Sequence, residues 1–510
     1  MSSAAGRPAE GLRRRQPAPP APVRLSDLLH RLERRLGRVT GPVPCDSVAI
    51  AQVRYDHRMV RRPEPGGAGD LFCCLPGEHR DGHDFAREAR RRGAVAFLCE
   101  RDLGAGAGGA PQLVVGPGRA RAAMAEAACA LYGDPAERLV TVGITGTNGK
   151  TTTAYLVGAI LAAAGYETTV IGTLSGTRTT PESPDLQREL AAAAAAAADA
   201  ARPGAVALEA TSHALVQHRV DGYVHDVAVF TNLSQDHLDF HKTMEAYFEA
   251  KALLFGPEHA RRAVVNGDDP YGRRLAARAE VPTEVFGLAD AEQLEIVGDG
   301  SRFLLRGHRV HLRLVGRVNV ENALAAAAAA RAIGVDDETV ASALSQAGGV
   351  PGRFEQVPNA LGLAVVVDYA HTPVGLGRAC AELRELVPEG RLVVVFGAGG
   401  DRDRQKRAQM GHAVSVAADV AVVTSDNPRH EDPLGIIAEV VSGCDGSAEL
   451  HVEPDRRLAI GLGLSLARAG DLVLVAGKGH ETTQQVGDVL VEFDDRVVVA
   501  EEASRLAGAA

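Results

Sequence analysis

Residues 140–153, VTVGITGTNGKTTT, have the types and order needed to hold a phosphate chain. An apolar run, a glycine-rich turn and a helix start follow one another. Gly146 and Gly149 let backbone N–H groups come close to phosphate oxygens, and the helix turns its positive N-terminus to the same anion. Thr147, Asn148 and Thr152 complete the loop. Lys150 can reach the β/γ-phosphates of a nucleotide, and the Thr151 hydroxyl can ligate Mg2+. The spacing departs from the common phosphate loop, because Ile144 stands where that pattern has its first glycine.

Other residues stand out by position. Lys251 has Tyr247 four residues before it and Leu254 and Phe255 just after, so it projects from an apolar helix stripe. On pattern alone its stem packs and its ammonium escapes to water. Glu209 and Asp368 end apolar strands, and strand ends are where open α/β sheets bind ligands. Asn319 reads equally well as a helix cap, and Asp426-Asn-Pro428 as turn chemistry.

The segment TGTNGKTT resembles the ATP loop of the Mur ligase family, and further segments agree with that family in order from about Leu25 onward. The resemblance implies an ATP-dependent amide-bond-forming ligase acting on a UDP-linked muropeptide. It implies a carbamylated Lys251 that, with Thr151, Glu209 and His237 of SQDHLDFH, ligates Mg2+. His241 is then structural, and His213 lies near the site. GRVNVEN would put Asn319 or Asn322 near adenine. GRFE and DYAHTP would bring Arg353 to phosphate and Asp368 to the ribose hydroxyls. The segment DNPR marks members that select meso-diaminopimelate. Arg429 would bind, bidentately, a distal carboxylate that lysine lacks, with Asp426 and Asn427 beside it. Arg407 matches a second carboxylate-binding arginine, and Gly477 and Glu481 of GKGHE match the segment holding the distal amino end. Thr179, Thr180, Thr211, Gln217 and Arg219 resemble the muropeptide contacts, Thr211 standing where serine is common. Asp56 and Arg58 resemble the UDP-binding segment, with His57 in place of the usual hydroxyl residue.

The chemistry so implied passes the γ-phosphate of ATP to a peptide carboxylate, and the incoming amine then attacks the acyl phosphate. Lys150 and two Mg2+ ions neutralise the transferring group. The partners expected are the UDP-MurNAc-dipeptide, meso-diaminopimelate and ATP. Four alternatives remain: L-lysine at the same step, a polyglutamate-type acceptor, a non-catalytic nucleotide-binding scaffold, and a helicase-like or regulatory P-loop ATPase, which would leave the third-domain motifs unexplained. DNPR weighs against the first and the UDP-binding segment against the second. Intact Lys150, Thr151, Glu209, His237 and Lys251 weigh against the third.

Positioning these residues takes an α/β chain of three domains, as 510 residues allow at roughly 150 per domain. Residues 1–24 are expected to be a disordered tail, rich in Pro, Ala, Arg and Ser. Residues 25–137 would bind the UDP-muropeptide. Residues 138–350 would bind ATP on a mainly parallel, P-loop ATPase-like sheet. Residues 351–510 would form a doubly wound, Rossmann-like amino-acid domain. Predicted strands at Val140–Ile144, Ala205–Glu209 and Val227–Thr231 alternate with helices, and a further helix is expected from Asn322 to Ile333. Glu284–Val315 reads as a smaller β-structure. A net charge of −10 argues against nucleic-acid binding. Seven scattered cysteines and no secretory signal fit reduced thiols in the cytoplasm. No apolar run is long enough to span a bilayer, and a monomer is expected.

Overall fold

Apolar runs followed by amphipathic helices build three α/β units in series. In this computed structural model, residues 20–40, 47–77, 80–176, 178–198, 200 and 202–509 are described. The first unit is a five-stranded sheet, ordered Val23–Arg24, Ala49–Arg54, Gly69–Cys73, Ala96–Cys99 and Gln112–Val114. All pairs but the first are parallel. Helix Leu25–Leu36 buries Leu25, Leu28 and Leu32. They share a core with the alanine-rich helix Ala120–Leu131. Val23 and Arg24, expected as the end of a disordered tail, form a strand instead. Val23 and Arg24 pair with Ile50 and Ala49, which satisfies their backbone groups and packs Val23 on the core. The remainder of that tail, residues 1–19, lies outside the described residues, as does Cys45. The other six cysteines are free thiols.

The second unit carries six parallel strands, ordered Thr283–Phe286, Ala263–Asn266, Val227–Phe230, Leu139–Thr145, Gly204–Glu209 and Glu167–Ile171. The smaller β-structure is an antiparallel meander of Glu292–Val297, Gly300–Leu305 and His308–Leu312. The helix expected from Asn322 starts earlier and spans Arg317–Ile333. Its alanines, Ala325 to Ala330, are wholly buried in the core shared with helix Lys150–Ala163. Side chains this small let two helix backbones approach closely, which fixes the helix that follows the phosphate loop.

The third unit orders its strands Glu355–Gln356, Ala364–Asp368, Leu472–Ala476, Leu392–Phe396, Val420–Val423 and Glu449–Val452. Only the first pair is antiparallel. Separate apolar cores on its two faces mark it as doubly wound. Because the strands run parallel, their C-terminal ends share one rim. That rim carries Asp368, Gly477, the glycine-rich stretch after Phe396, and Asp426 to Arg429. A two-stranded hairpin, Thr483–Val486 with Val489–Glu492, stands beside it. Among the described residues no helix is long and apolar enough to cross a membrane.

Candidate active site

The phosphate loop leaves strand Leu139–Thr145 and enters helix Lys150–Ala163 through Gly149, whose φ of 85° favours glycine. A side chain at Gly149 would collide with the Asn322 amide, and one at Gly146 with the Thr231 hydroxyl. The loop is braced from below by residues that the sequence reading did not single out. Asn232 accepts from the Asn148 N–H at 3.0 Å through Oδ1, and the Thr231 hydroxyl donates to Asn148 O at 2.6 Å. The Thr147 hydroxyl donates to Ser234 O at 3.2 Å. All three bracing residues follow strand Val227–Phe230, so a Thr-Asn pair at a strand end next to the loop was the available signal.

Lys150 and Lys251 both donate to Gly146 O, each at 2.8 Å. Lys251 does not reach water: it is 1% exposed, with its ammonium nitrogen 4.6 Å from the Tyr247 ring centre. Burial, and then Lys150, push its amine well below the usual lysine range. Burial lowers Lys150 too, with Glu209 and Asp236 opposing. The snorkelling expected from pattern alone is therefore replaced by a buried amine.

Glu209 is buried, and its Oε2 accepts from the Thr151 hydroxyl at 3.0 Å and the Thr173 hydroxyl at 3.2 Å. His237 lines the same cavity and meets His213 edge-on at 4.9 Å. Its side chain is 47% exposed, and burial of the rest, with His213 and the two lysines, lowers its imidazole against the pull of Asp236. Thr151 and Glu209 offer adjacent hard oxygens, which suit Mg2+. Lys251 as an amine is no ligand and fits that set only as a carbamate. Among the described residues no group of three or more His, Cys, Asp or Glu side chains is arranged to hold a metal ion. The expected set contains just two of those types.

The third unit closes the site. Arg353 donates to the Thr151 hydroxyl at 3.1 Å while stacking over Tyr369, 4.5 Å from the ring centre. Asp368 accepts from the Phe354 N–H at 2.9 Å and the Ala370 N–H at 2.8 Å, and burial raises its carboxyl. The resulting cavity, about 280 Å3, is lined by the phosphate loop, Thr179, Thr211, Glu209, His237, Asn319, Asn322, Arg353 and Asp368. Tyr369, His371 and Arg378 also line it and were not foreseen as site residues. Asn319 is no helix cap: the helix begins after Gly316, and Asn319 donates to Val315 O at 2.8 Å from inside its first turn.

The rim of the third unit gathers the expected amino-acid residues, with one correction. Arg407 is wholly buried and already bound. It donates to Glu431 at 2.7 Å and to Glu439 at 2.9 Å, so it holds helix Gln405–Ala417 to the neighbouring segment rather than facing a ligand. Arg402, from the same segment, is exposed and borders Gly399, which Arg429 also borders. Arg429 adopts φ 53° and donates to Gly400 O at 2.7 Å. Among the described residues no carboxylate pairs with it. Asp426 is buried and its Oδ2 has no hydrogen-bond partner there. A side chain at Gly477 would come within 2.6 Å of that oxygen. Glu481 accepts from Asn427 at 2.8 Å and Lys478 at 3.0 Å. Lys478, wholly buried, is a further residue that the sequence reading passed over.

At the opposite end, the Thr180 hydroxyl donates to Glu209 O at 2.7 Å and lies 3.2 Å from the Thr211 hydroxyl. Arg219 donates to Thr180 O at 3.0 Å and to Gln217 at 2.7 Å. Glu182, buried, pairs with Arg219, Arg178 and Arg121 at 2.9, 2.7 and 3.2 Å. Three guanidiniums on one carboxylate leave net positive charge beside the threonines. Asp56 and Arg58 pair with each other at 2.7 Å and do not line the central cavity. His57 stacks flat on Phe85, ring centres 4.6 Å apart.

A phosphate loop whose threonine is reached by an arginine of the next domain defines a nucleotide site that two domains assemble. The chain belongs to the Mur ligase family: residues 144–330 match the Mur ligase middle domain, 352–479 the Mur ligase glutamate ligase domain and 66–132 the Mur ligase family catalytic domain. It is similar to a UDP-N-acetylmuramoyl-L-alanyl-D-glutamate--2,6-diaminopimelate ligase of Streptomyces coelicolor, 43% identical over 96% of this chain and 99% of that one. The ligase of the same name from Syntrophomonas wolfei is also 43% identical, over 89% of this chain and 94% of its own. A solved structure of a ligase with that name superposes with a TM-score of 0.65 at 31% identity, covering 95% of this chain and 99% of that one.

Proposed function

We propose that the chain is an ATP-dependent, ADP-forming ligase that adds meso-diaminopimelate to UDP-N-acetylmuramoyl-L-alanyl-D-glutamate during peptidoglycan precursor synthesis, in the cytoplasm and as a monomer. One observation carries the choice of amino acid. Among the described residues, a guanidinium without a carboxylate partner (Arg429) and a buried carboxylate oxygen without a donor (Asp426) stand in one segment of the rim. A ligand with a carboxylate and an ammonium at its distal end answers both.

Lys150 and Arg353 offset charge on the transferring phosphate, and the loop N–H groups orient it. Mg2+, held by Thr151, Glu209, His237 and carbamylated Lys251, would supply further charge neutralisation there. The buried Lys251 amine is suited to that modification: its nitrogen attacks the carbon of CO2, a C–N bond forms and one proton leaves. Asn319 and Asn322 would flank the adenine and Asp368 would bind the ribose. Thr179, Thr180, Thr211, Gln217 and Arg219 hold the muropeptide so that its carboxylate meets the γ-phosphate. Asp56 and Arg58 hold the UDP. Attack on the acyl phosphate by the incoming amine forms the amide and releases phosphate. On the rim, Arg429 takes the distal carboxylate, Asn427 borders it, and Gly477, Glu481 and Asp426 hold the distal ammonium. Arg402 is assigned the part that the sequence reading gave to Arg407.

Mass spectrometry of reactions containing ATP, Mg2+, the UDP-dipeptide and meso-diaminopimelate tests this reading. The expected result is a UDP-tripeptide formed in equal amount with ADP, and only when all substrates are present. ADP without an amide product would overturn it.

A further inference from the structure

The hairpin Thr483–Val486/Val489–Glu492 is joined to the Asp426-to-Arg429 segment by four hydrogen bonds. Gln484 Nε2 donates to Asp426 O at 2.6 Å, and the Gln485 N–H donates to the Asn427 side-chain oxygen at 2.9 Å. The Arg429 N–H donates to Gln485 O at 3.1 Å, and the Gly487 N–H returns to Arg429 O at 2.6 Å. The ammonium of Lys478 bonds Thr483 O at 2.6 Å and Glu481 at 3.0 Å, tying the strand's foot to the same cluster.

Two physical points give these bonds meaning. Arg429 sits in the left-handed region at φ 53°, which a non-glycine residue holds only when its surroundings dictate it. Both its backbone N–H and its carbonyl are dictated by the hairpin. The hairpin, in turn, has little packing of its own. Val486, Val489, Leu490 and Val491 are 46, 61, 65 and 48% exposed, and an isolated two-stranded hairpin is at best marginally stable. The polar ladder to residues 426–429 therefore supplies much of what holds it in place.

We infer that this hairpin is a template for amino-acid selection. It presets the backbone of Arg429 so that the guanidinium meets the distal carboxylate, with Gln484 and Gly487 as positioning residues. The inference rests on the function proposed above. It also makes the hairpin a reporter: filling the amino-acid site holds Arg429, and through it the hairpin.

The test uses the full chain with Gln484→Ala, which removes a side-chain bond and leaves the hairpin's own ladder intact, and Gly487→Pro, which removes the donor to Arg429 O. The measurements are KM for each of the three substrates and the ratio of kcat/KM for meso-diaminopimelate to that for L-lysine. Gln484→Ala should raise KM for diaminopimelate about five- to tenfold, the worth of one hydrogen bond. It should lower the diaminopimelate-to-lysine ratio and leave KM for ATP and for the UDP-dipeptide within about twofold. Hydrogen exchange over residues 483–492 should slow when diaminopimelate is added to the native protein, and this slowing should be lost in Arg429→Ala. Should Gly487→Pro misfold, Gln484→Ala and the exchange data decide alone. Equal rises in all three KM values, or unchanged KM for diaminopimelate with ligand-independent exchange, would overturn the template. A native protein that does not turn over diaminopimelate would instead take down the proposed function, and the template with it.

Discussion

Two arginines of the third domain show how residues of one type divide by surroundings. Arg429 has no carboxylate partner among the described residues, whereas Arg407 is buried between Glu431 and Glu439. Replacing each with alanine should separate the roles. Arg429→Ala should raise KM for meso-diaminopimelate about 30-fold, the worth of a charged hydrogen-bonded pair, with the melting temperature unchanged. Arg407→Ala should lower the midpoint of a denaturant titration and leave KM for meso-diaminopimelate little changed, since it removes a buried guanidinium that ties Glu431 and Glu439 together. The sequence could not make this division, because the glutamates that occupy Arg407 lie 24 and 32 residues further along the chain. Lys251 was legible as a lysine on an apolar face, but not as an amine without access to water. With labelled bicarbonate, carbon NMR near neutral pH should reveal a carbamate that Lys251→Arg lacks. Lys251→Ala should lose at least about 100-fold in kcat, more than outer partners of a metal site cost. The phosphate loop was the most legible feature, since each of its residues makes its contact through backbone geometry or through the side chain's own chemistry.

At the scale of elements, strands such as Val140–Ile144, Ala205–Glu209 and Val227–Thr231 could be read to within a residue, because each is a short apolar run bounded by turn residues. Gly69–Cys73 and Glu449–Val452 were passed over, and Thr283–Phe286 joins the central sheet instead of the smaller β-structure. The start of helix Arg317–Ile333 could not be read, since Gly316, Val318 and Asn319 are poor helix formers and tertiary packing overrides their preference. The selecting hairpin was also missed, although Gly487-Asp488 between two β-prone runs is a two-residue turn signal. Loops can be clipped by charge as well as by backbone pairing. Asp221 pairs with His218 at 2.7 Å and His259 at 3.2 Å, joining the turn after helix Ser212–Val216 to the turn before strand Ala263–Asn266. Burial alone would raise its carboxyl, but the two histidines win and hold it at about 2. A folded value below the unfolded 3.8 contributes stability above that pH, and the contribution is lost as pH falls through about 2. Asp221→Asn should therefore lower stability by about 2 kcal/mol at pH 6, and the gap should close by about pH 2 in acid-denaturation curves.

Across the whole molecule, the nucleotide cavity exists because domains meet. Arg353 reaches Thr151 from 202 positions away in the chain, a contact that the motifs did not name, although they placed Arg353 at the phosphate. Arg353→Ala should raise KM for ATP about tenfold and lower kcat, the loss of one charged hydrogen bond across the domain seam. Its melting temperature without nucleotide should match that of the native protein. The Glu182 cluster joins the first domain to the second in the same way, since Arg121 comes from the first and Arg178 and Arg219 from the second. One chain thus brings nucleotide, muropeptide and amino acid to a common carboxylate, and the central claim is that the amino acid is meso-diaminopimelate. The most direct test is phosphate release with ATP, Mg2+ and the UDP-dipeptide, comparing kcat/KM for meso-diaminopimelate with that for L-lysine. Diaminopimelate should be favoured by at least about 100-fold, because lysine leaves Arg429 without its carboxylate. Equal turnover of the two, or preference for lysine, would contradict the account.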